Sequence, residues 1–313
     1  MTAEAGEKMP LLKALWIYQA ERFPVLRTGL LLAVFSAASL CVSAHLGARP
    51  LPGPWTFIAV WAVVLMLFFQ MRVCDEVKDY EDDLRYRPER PIQRGLVSLG
   101  LIRKLGLACV PVMLVLTYLL APGLLIFLAL VWLWLGLMTV EFFVPAWLKT
   151  RPFLYLASHM AIMPLIDLFI TAAEWLPSGE GPPGSLWLFI VLSCANGCVI
   201  ETGRKVWAPE NERPGVETYS ALLGPRRSAY LWAGFAGVAY LLLLGVGYVA
   251  GPVLTVGLVG ALVLARVLQA ASGFAKASTP AGQKKIDQLS GIWVFACYSL
   301  AGFVPVLVKV IAG

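Results

Sequence analysis

Residues 74–95 read "CDEVKDYEDDLRYRPERPIQRG". Six acids crowd into nine positions: Asp75, Glu76, Asp79, Glu81, Asp82 and Asp83. Directly before them, residues 57–71 read "FIAVWAVVLMLFFQM" and carry no charge. Like charges this close repel. Something positive must belong beside them, supplied either by the chain or from outside.

The uncharged run is part of a wider pattern. The chain has 313 residues, of which 59% are hydrophobic and 14% charged, and its mean hydropathy is +0.76. A soluble domain is about a quarter charged. This composition indicates an all-α, polytopic membrane protein. The net charge of +6 calls for no nucleic acid, because basic residues in cytoplasmic loops give the same surplus. The N-terminal "MTAEAGEKMPLLKALWIYQAERFP" lacks the compact apolar core and small-residue cleavage site of a signal peptide. Of the six cysteines, Cys194 and Cys198 share a helix face, but no histidine accompanies them. Buried apolar thiols are expected there rather than zinc ligands.

A helix needs about 20 apolar residues to cross a bilayer. Nine stretches qualify: 25–46, 54–73, 104–121, 123–143, 152–173, 185–200, 229–249, 251–271 and 290–311. "LLAPGLL" and "YVAGPVL" read as the turns of helical hairpins. With the N-terminus inside, 23 of the 25 basic residues, Lys8 among them, fall in inner segments, leaving Arg49 and Lys309 outside. That bias predicts a cytoplasmic N-terminus and a C-terminus on the opposite side. It also puts the charged segments 74–103 and 201–228 on the same, cytoplasmic side of a single domain.

If 74–83 continues the second helix, Asp75, Asp79 and Asp83 form one stripe, which Glu76 joins. The stripe is about 12 Å long at 1.5 Å per residue. Carboxylates so placed suit Mg²⁺, which binds substrate phosphates while keeping some of its waters. A solvated, charge-mixed loop is the other reading. The second segment, "ETGRKVWAPENERPGVETYSALLG" (201–224), holds Glu201, Arg204, Lys205, Glu210, Glu212 and Glu217. Glu201 and Lys205 also fit a simple i,i+4 ion pair.

These residues resemble the UbiA superfamily of intramembrane prenyltransferases. Its first motif, N-D-x-x-D-x-x-x-D, is similar to Asp75-Glu76-x-x-Asp79-x-x-x-Asp83 here. Its R-P-L-x-S-G loop is matched by "RPIQRG", Arg90 to Gly95, and its Tyr-x-Pro-Leu-Lys loop by "FFVPAWLK", 142–149. The tail of its second motif is matched by "GVET" followed by "YSALLG".

The resemblance implies nine transmembrane helices around a central cavity and transfer of an isoprenoid chain from a polyprenyl diphosphate to a lipophilic acceptor. The prenyl tail would lie between helices, open to membrane lipid. It implies Mg²⁺ held by Asp75, Glu76, Asp79, Asp83, Glu201, Glu210 and Glu212. Asp79, Asp83, Lys149 and Lys205 would act at the breaking bond. Arg22, Arg90, Arg94, Arg204 and Tyr219 would contact substrate. One departure stands out: no aspartate occurs between 201 and 224, and Lys205 falls where an acid is usual. Lys205 either contacts a phosphate oxygen directly or neutralises Glu201 and leaves one metal fewer.

Three further polar residues lie in apolar surroundings. Asp167 sits deep in the fifth span, with His159 eight residues earlier. An intramembrane acid is a functional candidate, so this pair is expected to bind the acceptor or remove a proton. A packing hydrogen bond is the alternative, and Glu141 is read the same way. Other chemistries also fit the resemblance: phosphoribosyl transfer to a polyprenyl phosphate, or cyclisation of a prenyl diphosphate. A metal or small-solute permease fits less well, because the acids cluster at a helix end rather than mid-membrane.

Overall fold

The structure, a computed structural model, describes residues 9–312; Lys8 lies outside them. Among the described residues it is entirely helical. The elements are α1 (Leu11–Arg22), α2 (Val25–Leu46), α3 (Pro54–Lys78), α4 (Tyr80–Tyr86), α5 (Leu99–Leu120), α6 (Leu124–Thr139) and α7 (Pro145–Lys149). They continue with α8 (Pro152–Met160), α9 (Ile162–Trp175), α10 (Leu186–Arg204), α11 (Tyr219–Leu223), α12 (Pro225–Ala250), α13 (Val253–Ala277) and α14 (Pro280–Ala312).

Eight helical stretches among the described residues are long and apolar enough to cross a membrane, with α8 and α9 counted as one. The expected ninth span is α6, which is shorter at 16 residues. It is cut short because Glu141, Phe142 and Phe143 take positive φ angles of 47°, 53° and 61°. The right-handed helix cannot pass through them.

The spans pack in chain order: α2 on α3, α3 on α5, α5 on α6, α6 on α9, α9 on α10, α10 on α12, α12 on α13 and α13 on α14. Packing of α14 on α2 closes the ring, and the short connections make sequential neighbours spatial neighbours. The closure depends on Gly302, where a Cβ would run into the backbone of Ala38. Only glycine lets α14 come this close to α2.

Polar side chains inside the ring fix its inner helices. Asp167, on α9, is fully buried. One oxygen accepts from Ser39 on α2 at 2.6 Å, and the other accepts from Tyr298 on α14 at 2.8 Å. Ser193, on α10, lies 3.0 Å from the same tyrosine oxygen. These are the packing hydrogen bonds of the alternative reading: Asp167 links four helices, and each of its oxygens accepts a bond. At the end of the bundle away from the acidic stripe, Glu174 repeats the device, accepting from Ser43 at 2.6 Å and from Arg49 at 2.6 and 2.7 Å. All six cysteines are free thiols.

Asp167→Ala would remove two buried hydrogen bonds, at about 0.5–1.5 kcal/mol each, while Ser39 keeps the Phe35 carbonyl and Tyr298 keeps the Ser193 hydroxyl as acceptors. The expected result is a clearly lower thermal midpoint in detergent with diphosphate binding retained. Both are measurable on the same purified sample.

Candidate functional site

The acidic stripe forms as its spacing predicts. α3 runs almost unbroken into α4, with Asp79 at the joint (φ −91°, ψ 7°). The N–H of Asp79 donates to the Asp75 carbonyl at 2.9 Å, and that of Asp83 to the Asp79 carbonyl at 2.8 Å. The helical ladder therefore continues, and Asp75, Asp79 and Asp83 stay on one side.

The four carboxylates differ in what they meet. Glu76 is buried against the Arg22 guanidinium at 2.6 Å, which ties α1 to α3. Asp83 is buried between Arg87, at 3.0 Å, and Arg90. Asp75 is nearly half exposed and has one weak contact, to Arg72 at 3.4 Å. Among the described residues the Asp79 carboxylate makes neither a hydrogen bond nor an ion pair. Burial pushes its carboxyl above the usual carboxylate range, Asp75 and Asp83 push it the same way, and Lys78 and Arg87 oppose the shift. Arg90 is pushed down by burial and by the crowding of Arg22 and Arg87. A cluster of guanidiniums thus stands at the foot of the stripe.

The second segment is already neutralised. Both oxygens of Glu201 are taken, one by Arg204 at 2.8 Å and one by Lys205 at 2.9 Å. Glu212 accepts from the Thr218 hydroxyl at 2.7 Å. Glu210 is exposed on the turn Pro209–Asn211. Tyr219 is buried beside Leu156 and Cys198. Arg213 reaches across to Glu89 at 3.0 Å, but both side chains are largely exposed. Arg94 pairs with Glu21 of α1 at 2.7 Å.

Tyr155, on α8, stands between the two segments. Its hydroxyl accepts from Lys78 at 2.8 Å. The Nζ atoms of Lys78 and Lys205 lie 5.4 and 5.8 Å from its ring centre, within cation–π range. The ring stacks on His159 at 3.9 Å. His159 donates through Nδ1 to the Tyr155 carbonyl at 3.0 Å, which leaves Nε2 buried and unpartnered. The surrounding charges are Lys78, Glu201 and Lys205.

Glu141 approaches Lys78 at 3.9 Å and keeps one oxygen unpartnered. It is held there by the left-handed turn at 141–143, which costs about 1–2 kcal/mol per residue. The same turn sets Phe142 edge-on to Trp134 and His159.

Seven metal ligands were expected from the sequence. The structure brings no three of the His, Cys, Asp and Glu side chains among the described residues into a metal-holding group. Asp83 and Glu201 have both oxygens on internal cations, Glu76 gives one oxygen to Arg22 and keeps the other buried without a partner, and Glu210 and Glu212 lie out on the loop. The free oxygens of Asp75 and Asp79, one helical turn apart, still fit a hard divalent cation that keeps waters and shares a phosphate.

Lys149 ends α7 exposed and without an ion pair among the described residues. Lys78 and Tyr155 stand outside the residues expected from the sequence, and the structure brings both beside the acidic stripe and the 201–205 turn. The signal for Lys78 was its position between Asp75 and Asp79.

The sequence profile of the UbiA prenyltransferase family matches residues 32–291. The fold is similar to that of a digeranylgeranylglyceryl phosphate synthase, with a TM-score of 0.60 at 16% identity over 93% of this chain and 98% of that one. It is also similar to a UbiA homologue from Aeropyrum pernix K1, with a TM-score of 0.68 at 16% identity over 89% of this chain and 98% of that one. No curated protein sequence matches.

The raised Asp79 carboxyl has a consequence for stability. Its charged form is disfavoured by the fold, so stability is lost as pH rises through its raised value. Asp79→Asn is expected to raise the thermal midpoint of the metal-free protein at neutral pH. It should give little gain at acid pH, where the native carboxyl is itself protonated. Melting curves at the two pH values test this.

Proposed function

The chain belongs to the UbiA prenyltransferase family, and from that premise we propose that it transfers an isoprenoid chain from a polyprenyl diphosphate to a lipophilic acceptor. The observation that carries this reading is the pair Asp75 and Asp79, the stripe's two carboxylates that no strong internal ion pair consumes. A Mg²⁺ ion held by this pair would supply positive charge to the departing diphosphate.

The chain's own residues supply the rest. Lys78, Arg204 and Lys205 offer charged N–H donors to phosphate oxygens, and such bonds strengthen as the leaving group gains charge. Tyr155 fixes Lys78 by accepting its hydrogen bond. Phe142 and Tyr155 place aromatic faces near the charged groups. Faces of this kind attract a carbocation and help keep water from it. The free Nε2 of His159 is the group positioned to take a proton from the acceptor. The positive-inside bias supports a cytoplasmic location for this end of the bundle, with the prenyl tail among the apolar helices.

The test is purified protein with Mg²⁺, radiolabelled geranylgeranyl diphosphate and membrane lipid extract. The expected result is diphosphate release and a heavier labelled lipid, with Asp75→Asn and Asp79→Asn each slowing transfer by about 100-fold or more. Intact label, with phosphoribosyl diphosphate consumed in a parallel reaction containing polyprenyl phosphate, would overturn the reading.

A further inference from the structure

We infer that this chain handles its diphosphate with a single divalent ion, held at Asp75 and Asp79, and that Arg204 and Lys205 take the place of a second. The inference rests on the proposed function and concerns the same site.

A second ion would need carboxylates from the 201–218 segment. Glu201 is the acid that α10 brings to the site, and it is buried. Both its oxygens are occupied, at 2.8 and 2.9 Å, by cations from its own next turn. Arg204 and Lys205 follow Glu201 by three and four residues, so the backbone keeps them near that carboxylate. A divalent ion would have to displace both while feeling the repulsion of each.

The other acids of the segment, Glu210, Glu212 and Glu217, do not help, and Glu217 is exposed on the loop. Glu212 is committed to Thr218. Glu210 sits on a turn whose flanking Ala208 N–H and Asn211 amide are both tied to Gln283 of α14, at 2.8 Å each. That turn is fastened toward α14 rather than toward the acidic stripe.

Two cations on one carboxylate leave a surplus positive charge, and its position is informative. The Arg204 guanidinium lies within Coulombic reach of Asp75 and Asp79. Lys205 shares the Tyr155 ring with Lys78, so one lysine from each segment converges on one aromatic side chain. The second segment thus meets, at Tyr155, the lysine that lies between Asp75 and Asp79 in the chain. A diphosphate placed there would meet a metal-holding pair and permanent N–H donors. Lysine and arginine deliver that charge without needing a metal in solution.

The experiment counts ions. Full-length protein in detergent is titrated with Mn²⁺ in saturating inorganic diphosphate, and bound Mn²⁺ is read by electron paramagnetic resonance. One bound ion per chain is expected, and two would overturn the inference. Lys205→Ala should still bind one ion but lose about tenfold or more in diphosphate affinity at saturating Mn²⁺. An unchanged affinity would equally overturn it. If Lys205→Ala does not survive purification, Arg204→Gln gives the same readout, because that side chain is half exposed. Inorganic diphosphate carries no prenyl chain, so the count does not depend on turnover. A protein that binds one ion and diphosphate yet transfers no prenyl group would sink the prenyltransferase reading alone. A protein that transfers prenyl groups with two ions would sink only this inference.

Discussion

Charge compensation at one end of the bundle governs the rest of the structure. A buried carboxylate without a partner costs several kcal/mol, so the fold can bury Glu76, Asp83 and Glu201 only by bringing cations to them. Arg22 arrives on α1, Arg87 and Arg90 on the loop after α4, and Arg204 and Lys205 on the last turn of α10. These pairs fasten the peripheral pieces to the spans. They also occupy both oxygens of Asp83 and Glu201 and one oxygen of Glu76. What remains free is set by this subtraction.

Much of the fold was legible in the sequence for simple reasons. Span length follows from bilayer thickness, and eight spans have the length and composition expected. The stripe was legible because its acids repeat at helical spacing and nothing between Cys74 and Asp83 breaks a helix. Ring order was not written in any one residue. It follows from short joints that make chain neighbours into packed neighbours. The short α6 was hidden, because a left-handed turn at Glu141–Phe143 contains no glycine to announce it.

The candidate site was only half legible, and the missing half is pairing. Arg22 and Glu76 lie 54 residues apart, so no local pattern connects them. Asp167 looked functional because an acid inside an apolar span usually is. Its hydroxyl partners come from 128 and 131 residues away. Lys149 had the right local spelling, yet α7 ends with it exposed. Tyr155 carried no signal, since a tyrosine near a helix end reads as an interface anchor. Its role comes from Lys78 and Lys205, which two distant segments bring to it.

The buried acids are treated differently at the two ends of the bundle, and that contrast argues for where chemistry occurs. Asp167 in the middle and Glu174 toward the far end have both carboxylate oxygens satisfied. At the acidic end, Glu76 and Glu141 each keep a buried oxygen without a hydrogen-bond partner, and His159 an open Nε2. Buried polar groups in native proteins are nearly always paired, so each open one needs a reason. A fold able to satisfy an acid deep in its centre with hydroxyls from separate helices is not short of means. Three open groups within one neighbourhood, beside a turn held in a costly left-handed conformation, are what a site looks like when a charged ligand supplies the missing partners.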